Sequence, residues 1–509
     1  MKPAVPAGPV DGNAGIAAGA GLVSVARLSG GILNILLLVL LTRLLDKPSF
    51  AVIALVYMLL ETVTALGTLD LPTALYYYVP RLGPTVARAL ATWTALTLTV
   101  LAAPFALALW FLGPGLAGLL GTPEAAPVFG FIAIYVLADF PSQTLPSYLL
   151  SRRAYLGFAL VTLVFYGSRF ASLAIPAALG ASIEAMMACF MLVALLRCAV
   201  LVWLLALVEK GPLARRGFTL RELLGYSIPL SLSNMVSKLG SQLDKYMIVT
   251  LCSAEVFAVY SVGANEIPLV SSIAYSVSAA LAPSLVLLGE RRQIGRFLEL
   301  WHGSMLKVAA VMMPVFFFFL ALAGPLVRLM FTDAYAEAAV PFRVFLCLLP
   351  LRLCAYGAVV RSLGTTKPVL YSSAATLAVN AALNYPLFLL LGLPGPAVAA
   401  VTGQVVGIVW MLAVVRRELK IGWRQVFPVQ GVAARLGVAG VAALPLWAVP
   451  TFVEGDLAQV ACGAVVVLAL YLALALAVGV VTRADLAYLR DLVTMRVIGA
   501  SRQGGGDVP

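Results

Sequence analysis

Charged side chains inside long apolar segments are the residues of this chain best suited to chemistry. A charge at the centre of a membrane helix costs about 2.5–3.5 kcal/mol on insertion scales. Such groups are therefore generally paired with an opposite charge, or they bind a substrate or a transported ion. The cations in these segments are Arg27, Arg169, Arg197, Lys238, Lys245, Arg328, Arg343 and Arg352. The acids well inside them are Glu61, Asp139, Asp244 and Glu266. Anion recognition by the cations and ion coupling by the acids are therefore the chemistries to consider.

A polar stripe runs along one of these segments, between residues 224 and 250. Helical geometry places its members on one face, because they recur at intervals of three and four positions. They are Ser227, Ser231, Asn234, Lys238, Ser241 and Lys245. Such a stripe cannot face lipid, because hydrocarbon offers its polar groups no partners. We favour the wall of a watery lumen, and the alternative is a helix interface held by Ser and Asn hydrogen bonds.

The first apolar segment repeats this pattern on a smaller scale. Ser24, Arg27, Gly31 and Asn34 share one helical face, and Arg27 lies about 10–12 Å from the inner end, at about 1.5 Å per residue. Arginine offers a bidentate fork to a phosphate and lysine offers a point charge. The sequence therefore predicts a polar cavity that binds an anionic substrate. Its candidate binding residues are Arg27, Asn34, Asn234, Lys238, Ser241 and Arg352.

The buried acids have two open interpretations. Glu61, Asp139 and Glu266 could each bind a coupling proton or sodium ion, or each could pair with a nearby cation. Asp139 with Arg169, on adjacent segments near mid-membrane, is the pair that we expect. For Arg197, Arg328 and Arg343 we expect pairing with a nearby acid or snorkelling to the interface. Asp244, beside Lys245, is expected to pair locally.

The elements that must position these residues are membrane helices. Of the 509 residues 62% are hydrophobic and 11% are charged, whereas a soluble domain carries about 25% charged residues. The net charge of +12 does not indicate a nucleic-acid partner, because the basic residues stand singly or in small groups between apolar runs. The sequence thus predicts an all-α polytopic protein without a soluble domain.

Fourteen apolar segments reach the roughly 20 residues that a spanning helix needs. They are 20–42, 50–72, 89–112, 127–150, 157–179, 183–208, 224–250, 256–288, 304–331, 338–360, 368–393, 396–415, 431–452 and 457–481.

The long connection in the middle of the chain divides these segments into two six-helix lobes. An even-numbered repeat relates the lobes by a pseudo-twofold axis along the membrane normal. The predicted organisation comprises a disordered tail 1–15, lobes 16–208 and 224–417 joined by a linker 209–223, two further helices in 418–482, and a tail 483–509.

Basic residues set the orientation. Of the 34 lysines and arginines, only Arg43 and Lys47 fall in the connections on the outer side, whereas most of the others lie in inner connections and tails. The positive-inside rule therefore predicts a multi-pass protein of the cell membrane with both termini in the cytoplasm.

The sequence lacks the residues that several kinds of catalytic site require. The chain has six cysteines without a CxxC pair and one histidine, His302, so we expect no disulfide framework, metal site or cofactor. It contains no P-loop and no nucleophile elbow. Its longest outer connection is about a dozen residues, around Pro114 to Ala126, which argues against a membrane glycan polymerase or ligase. We therefore expect a protein that is not an enzyme.

Short motifs resemble those of the polysaccharide exporters and oligosaccharide flippases of the multidrug/oligosaccharidyl-lipid/polysaccharide (MOP) superfamily. The resemblance covers about residues 16 to 417. It rests on Thr42-Arg43-Leu44-Leu45, Leu224-Gly225-Tyr226-Ser227-Ile228-Pro229-Leu230, Leu243-Asp244-Lys245-Tyr246, Val259-Tyr260-Ser261-Val262, Gly364-Thr365-Thr366-Lys367-Pro368, Asn380 and Asn384.

This resemblance implies a flippase that moves polyprenyl-diphosphate-linked oligosaccharides from the inner to the outer leaflet by alternating access. Arg27 and Lys238 would match the cavity cations of that family. The implied partners are the lipid-linked substrate, membrane lipid and a coupling proton or sodium ion. A multidrug antiporter of the same superfamily is the first alternative, although its cationic drugs would favour acidic cavity residues. The glycan polymerase is the second.

Overall fold

The computed structural model describes residues 13–208, 220–265 and 268–480, and these form helices and short connections without a strand. Long apolar helices are what a membrane protein requires, because every backbone N–H and C=O in hydrocarbon must find a partner within its own helix. The chain is a multi-pass membrane protein. The all-α class predicted from composition is thereby confirmed.

The helices form two compact units, and the division between them falls inside a helix, after Met235. The first unit contains the described residues up to Met235, and the second contains those from Val236 to Val480. Most of the predicted linker 209–223 lies outside the described residues, as do residues 1–12 and the predicted C-terminal tail. The predicted domain boundaries therefore stay a prediction.

The described part of the first unit contains eight complete α-helices and the start of a ninth. Its pairs α1 and α7, α4 and α5, and α5 and α8 pack side by side. The helices are α1 (Asn13–Leu44), α2 (Lys47–Gly67), α3 (Leu71–Tyr78), α4 (Pro84–Leu119), α5 (Val128–Ser142), α6 (Thr144–Ser151), α7 (Tyr155–Ala178), α8 (Ile183–Trp203) and α9 (Leu220–Leu251).

The second unit contains the rest of α9 and the remaining helices. They are α10 (Ala254–Gly263), α11 (Pro268–Glu290), α12 (Ile294–Ala321), α13 (Ala323–Phe331), α14 (Ala339–Leu346), α15 (Tyr356–Ser362), α16 (Lys367–Leu391), α17 (Pro394–Leu419), α18 (Trp423–Val426), α19 (Val429–Ala443), α20 (Val449–Phe452) and α21 (Asp456–Ala477).

The helix pair α16 and α17 is the most closely packed of the second unit, and two glycines of α17 explain why. A Cβ atom at Gly403 would stand 2.7 Å from the backbone oxygen of Thr376 on α16. At Gly407 the hydroxyl of Ser372 donates to the glycine carbonyl at 2.9 Å. The Gly403-x-x-x-Gly407 pattern was expected to mark close helix packing rather than a dimer face, and this packing is confirmed.

Eleven helices of the described chain are long and apolar enough to cross a membrane, and each overlaps one of the fourteen predicted spans. The largest displacement is that of α12, Ile294–Ala321, from the predicted 304–331. The other three predicted spans are helical but differ in character. The 224–250 segment is the polar α9, the 256–288 segment contains the two helices α10 and α11, and the 338–360 segment is interrupted by a non-helical stretch, residues 347–355. The count of fourteen stays a prediction.

An ion pair joins α13 to the beginning of α21. The Arg328 guanidinium donates to both carboxylate oxygens of Asp456, at 3.1 Å from Nε and 2.6 Å from Nη2. The Asp333 carboxylate lies 3.8 Å from Arg328 as well. This fork fixes one of the two helices that follow the predicted six-helix lobe, in agreement with the expectation that Arg328 pairs locally.

Replacing Arg328 by glutamine is expected to lower the free energy of unfolding by about 1 kcal/mol, because the pair is partly solvated. Thermal unfolding of the detergent-solubilised chain measures this effect. Arg343→Gln, on the neighbouring α14, removes an exposed cation and serves as the matched control. Equal unfolding temperatures for the two variants would show that the Asp456 contact contributes nothing.

Candidate functional site

The polar face of α1 is the first part of the candidate site. The adjacent face of this helix packs on α7 through Ala26, Gly30 and Leu37, which are buried. Arg27 and Asn34 are both exposed in the protein. The Arg27 guanidinium lies 5.8 Å from the ring centroid of Phe158, and no described carboxylate pairs with it. This cation is therefore available for an anion from outside the protein.

The polar stripe of α9 divides into a buried part and an accessible part. Ser227 and Ser231 are buried, Lys238 is half-buried, and Asn234 and Ser241 are exposed. Exposure of the last two agrees with a lumen wall, whereas burial of the first two agrees with a helix interface. The lumen wall and the helix interface, the two interpretations left open by the sequence, therefore both stay predictions.

Three other predicted site residues have different surroundings. Arg352 is half-buried in the non-helical stretch 347–355, which is tied to α11 by a hydrogen bond from the Ala355 N–H to the Ser278 hydroxyl at 2.9 Å. Glu61 is exposed on α2. Glu266 lies outside the described residues.

Asp139 accepts hydrogen bonds from two different side chains inside the first unit. Its Oδ1 lies 3.2 Å from Nη1 of Arg197, and its Oδ2 accepts from the Gln143 amide at 2.8 Å. The Asp139 and Arg197 side chains are only 10% and 13% exposed. Burial of this kind makes an ion pair costly to break, because the remaining charge has no water to solvate it.

Arg169 was the expected ion-pair partner of Asp139. That prediction is wrong, because the carboxylate of Asp139 pairs with Arg197. Arg169 instead donates from Nε to the Tyr57 hydroxyl at 3.2 Å, and its guanidinium carbon lies 4.5 Å from the centroid of the Tyr57 ring and 5.5 Å from that of Phe190. Arg197 reaches Asp139 from α8, on which α5 packs. Aromatic faces can hold a buried guanidinium through cation–π attraction. The interior of the first unit therefore holds two arginines around one carboxylate.

Polar residues from the motifs that resemble those of the MOP superfamily hold helices together in the second unit. Asn380 on α16 donates to the Gly240 carbonyl of α9 at 2.8 Å, and Asn384 donates to Asn380 at 3.1 Å. Asp244, next to Lys245, accepts a hydrogen bond of 2.7 Å from the Tyr260 hydroxyl. These contacts are buried, so they position α9 against its neighbours.

Sequence reasoning missed Asp70, which lies in the connection between α2 and α3. Its carboxylate accepts a hydrogen bond of 3.0 Å from the Asn234 amide of α9 and one of 2.6 Å from the Thr73 hydroxyl. One of the predicted substrate residues, Asn234, therefore has a protein partner. The signal that could have found Asp70 is the sequence Asp70-Leu71-Pro72, an acid before a proline-initiated helix.

The structure leaves the main prediction of a shared cavity open. Arg27 belongs to the first unit and Lys238 to the second, so a common chamber for them stays a prediction. Among the described residues no group of three or more His, Cys, Asp or Glu side chains could hold a metal ion.

Comparison with known families and structures adds independent findings. The profile of a family described as "Polysaccharide biosynthesis protein" matches residues 40–340, which is more than half of the chain. Comparison with curated proteins gives no match.

Three solved structures share the fold at low sequence identity. The lipid II flippase MurJ in an inward closed conformation superposes with a TM-score of 0.67 at 14% identity, covering 93% of this chain and 99% of its own. An inward-facing multidrug resistance transporter of the MATE family, also in the MOP superfamily, gives 0.63 at 16% identity, covering 78% and 98%. A MOP superfamily transporter from Pyrococcus furiosus gives 0.52 at 16% identity, covering 79% and 94%. At these identities the similarity shows the fold alone.

Proposed function

We propose that this chain, which belongs to the family of polysaccharide biosynthesis proteins and has the fold of the MOP superfamily, is a flippase. It carries a polyprenyl-diphosphate-linked oligosaccharide from the inner to the outer leaflet of the cytoplasmic membrane. The observation that carries the proposal is Arg27, an accessible cation on a membrane helix without a described carboxylate partner. A diphosphate supplies the negative partner for the positively charged Arg27 guanidinium.

The cations have the roles of anion ligands in this proposal. Arg27 offers a bidentate fork to the diphosphate, and Lys238 and Arg352 add positive charge along its path. Asn34 and Ser241 are exposed polar groups that can hydrogen-bond a sugar hydroxyl. Asn234 can do so when its bond to Asp70 opens. The prenyl tail stays in lipid while the glycan crosses the polar lumen.

The driving force has two components. Both termini lie in the cytoplasm in this proposal, and an anion that leaves an inside-negative cell gains about 2.3 kcal/mol per charge per 100 mV. Glu61, Asp139 and Glu266 are the candidates for a coupling proton or sodium ion. Alternating access through rocking of two lobes would convert these gradients into net outward movement.

A multidrug antiporter is the second candidate, and the similarity to the MATE transporter fold favours it. Cationic drugs require acidic groups in the cavity, whereas the accessible charge on α1 is an arginine. Drug susceptibility of an overexpressing strain separates the candidates: a flippase leaves it unchanged, and an antiporter lowers it. A glycan polymerase would instead lengthen the lipid-linked glycan, which gel analysis of the extracted glycolipid would reveal.

Arg27→Ala and Lys238→Ala are each expected to slow glycan export about tenfold to 100-fold. This loss corresponds to about 1.5–3 kcal/mol for a hydrogen bond to a charged group. The measurement is the amount of unflipped lipid-linked glycan at the inner leaflet, at matched protein levels. Arg296→Ala, which removes an exposed cation from the first turn of α12, is the control. Wild-type export in both test variants would refute the assignment.

A further inference from the structure

Asp70 sits where α2 ends and α3 begins, and its carboxylate holds the seventh predicted span. We propose that Asp70 is a proton-binding residue and that its protonation weakens the Asn234 contact of α9. Given the flippase function proposed above, this step would couple transport to the transmembrane proton gradient.

The backbone fixes Asp70 in an unusual conformation. Leu69 and Asp70 have φ angles of 47° and 52°, in the left-handed region that non-glycine residues seldom adopt. A strained site of this kind persists only where its surroundings hold it in place. Gly67 before the connection packs against the Phe140 ring, and Leu71 after it is fully buried. The carboxylate of Asp70 is therefore presented at a fixed position.

The two carboxylate oxygens have one donor each. The Thr73 hydroxyl donates to Oδ1 at 2.6 Å and the Asn234 amide donates to Oδ2 at 3.0 Å. An ionised carboxylate accepts both bonds without conflict. Protonation removes the negative charge of the acceptor and so weakens the bond from Asn234, because hydrogen bonds to an ionised carboxylate are roughly twice as strong as those between neutral groups. The protonation state of Asp70 thus sets the strength of this contact.

Asp70 differs from Asp139 in its electrostatic surroundings, because no described cation forms an ion pair with it. Arg88 donates to the Leu205 carbonyl at 2.7 Å, and Arg152 donates to the Tyr148 hydroxyl at 2.9 Å. Partial burial raises the pKa of Asp70 above its ordinary value, and the bonds from Thr73 and Asn234 act in the opposite direction. On α2, α3, α4, α6 and α9 and at their ends, the charged and titratable side chains include Lys47, Tyr57, Glu61, Tyr76, Tyr77, Tyr78, Arg81, Arg88, Tyr148, Arg152, Glu222, Lys238, Asp244, Lys245 and Tyr246.

The contact between Asp70 and Asn234 matters because it holds helix α9. Asn234 stands one residue before the point at which α9 passes from the first unit to the second. Further along the same helix, the Gly240 carbonyl accepts from Asn380 at 2.8 Å within the second unit. Helix α9 is thus fastened within each unit by a separate side-chain amide bond. Lys238, a proposed substrate ligand, lies between the two fastenings, so loss of the Asp70 bond frees the part of α9 next to it.

The proton itself can be observed without knowledge of the substrate. Infrared difference spectra of the full chain in lipid nanodiscs, recorded as pH is raised, should show loss of a protonated carboxyl band. That band should be absent in Asp70→Asn, a variant that keeps the shape of the side chain, and present in Glu290→Gln, an exposed control. A wild-type titration of this band in folded Asp70→Asn would overturn the proposal.

A second variant, Asn234→Ala, tests the contact between Asp70 and Asn234 and keeps the Asp70 carboxylate. Asn234→Ala deletes a donor that favours the ionised carboxylate, so the pKa of Asp70 must rise and the band must titrate at higher pH. An unchanged midpoint would overturn the role of Asn234. This result stays informative if Asp70→Asn does not fold.

Coupling is tested in cells that make the glycan. Nigericin, an electroneutral potassium–proton exchanger that collapses the pH gradient but not the membrane potential, should slow export by the wild type, and export by Asp70→Asn should be slower and insensitive to nigericin. Export by this variant that still depends on the gradient would overturn the coupling. If deletion of the protein leaves export of lipid-linked glycan unchanged, the proposed flippase function fails, whereas the infrared titration still decides whether Asp70 binds the proton.

Discussion

Asp139→Ala is expected to destabilise the first unit by about 3–5 kcal/mol, the usual cost of removing one partner of a buried ion pair. The change takes away the carboxylate that contacts Arg197 and lies close to Arg169. Tyr57 and the aromatic rings can hold Arg169 in part, and Arg197 keeps its contact with the Phe165 ring, 4.0 Å from the guanidinium carbon, but loses its carboxylate. A lower midpoint of thermal unfolding for the detergent-solubilised chain would show the effect.

Two further variants separate the buried charge from a general effect of losing an acid. Asp333→Ala removes a carboxylate that is 92% exposed and 3.8 Å from Arg328, so we expect a change of less than about 1 kcal/mol. Asp139→Leu combined with Arg197→Met replaces the ion pair by apolar side chains of similar size and should recover most of the lost stability. Equal unfolding of Asp139→Ala and the wild type would contradict the ion pair described above.

The sequence predicted the positions of most helices because span length and apolarity are local properties. The sequence was less informative where the position of a helix depends on contacts with distant residues. Helix α9 is too polar to register as a span, and its position depends on partners such as Asp70 and Asn380, which lie far away in the chain. Residues 347–355 interrupt a predicted span, and the Ser278 hydroxyl that supports the interruption is also remote in sequence.

The candidate site was predictable in its residue types and less so in its pairings. An uncompensated cation on α1 follows from composition and spacing, and Arg27 is such a residue in the structure. The choice of Arg197 over Arg169 as the partner of Asp139 depends on helix packing and on the reach of two flexible side chains. Asp70 was missed because a carboxylate at the end of an apolar segment looks like an ordinary connection until Asn234 is found on it.

Gly403→Val is expected to separate α16 from α17 and to destabilise the second unit by about 1–3 kcal/mol, the usual range for overpacking. A Cβ atom at this position would meet the backbone oxygen of Thr376 at 2.7 Å and the Cβ of Asn380 at 3.3 Å. Backbone cannot rotate away as a side chain can, so the helices must move apart. Since Asn380 donates to the Gly240 carbonyl, the displacement should also weaken the hold on α9.

Gly437→Val is the matched control for this prediction. Gly437 is an exposed helical residue of α19, and a Cβ atom there meets nothing within 4 Å. Valine forms helices better than glycine, so the control should be neutral or slightly stabilising. The two substitutions are chemically identical, and opposite signs in thermal unfolding would therefore isolate the close approach of α16 and α17. A stabilised Gly403→Val would mean that these helices do not pack through their backbones, and the buried position of Asn380 would then need another explanation.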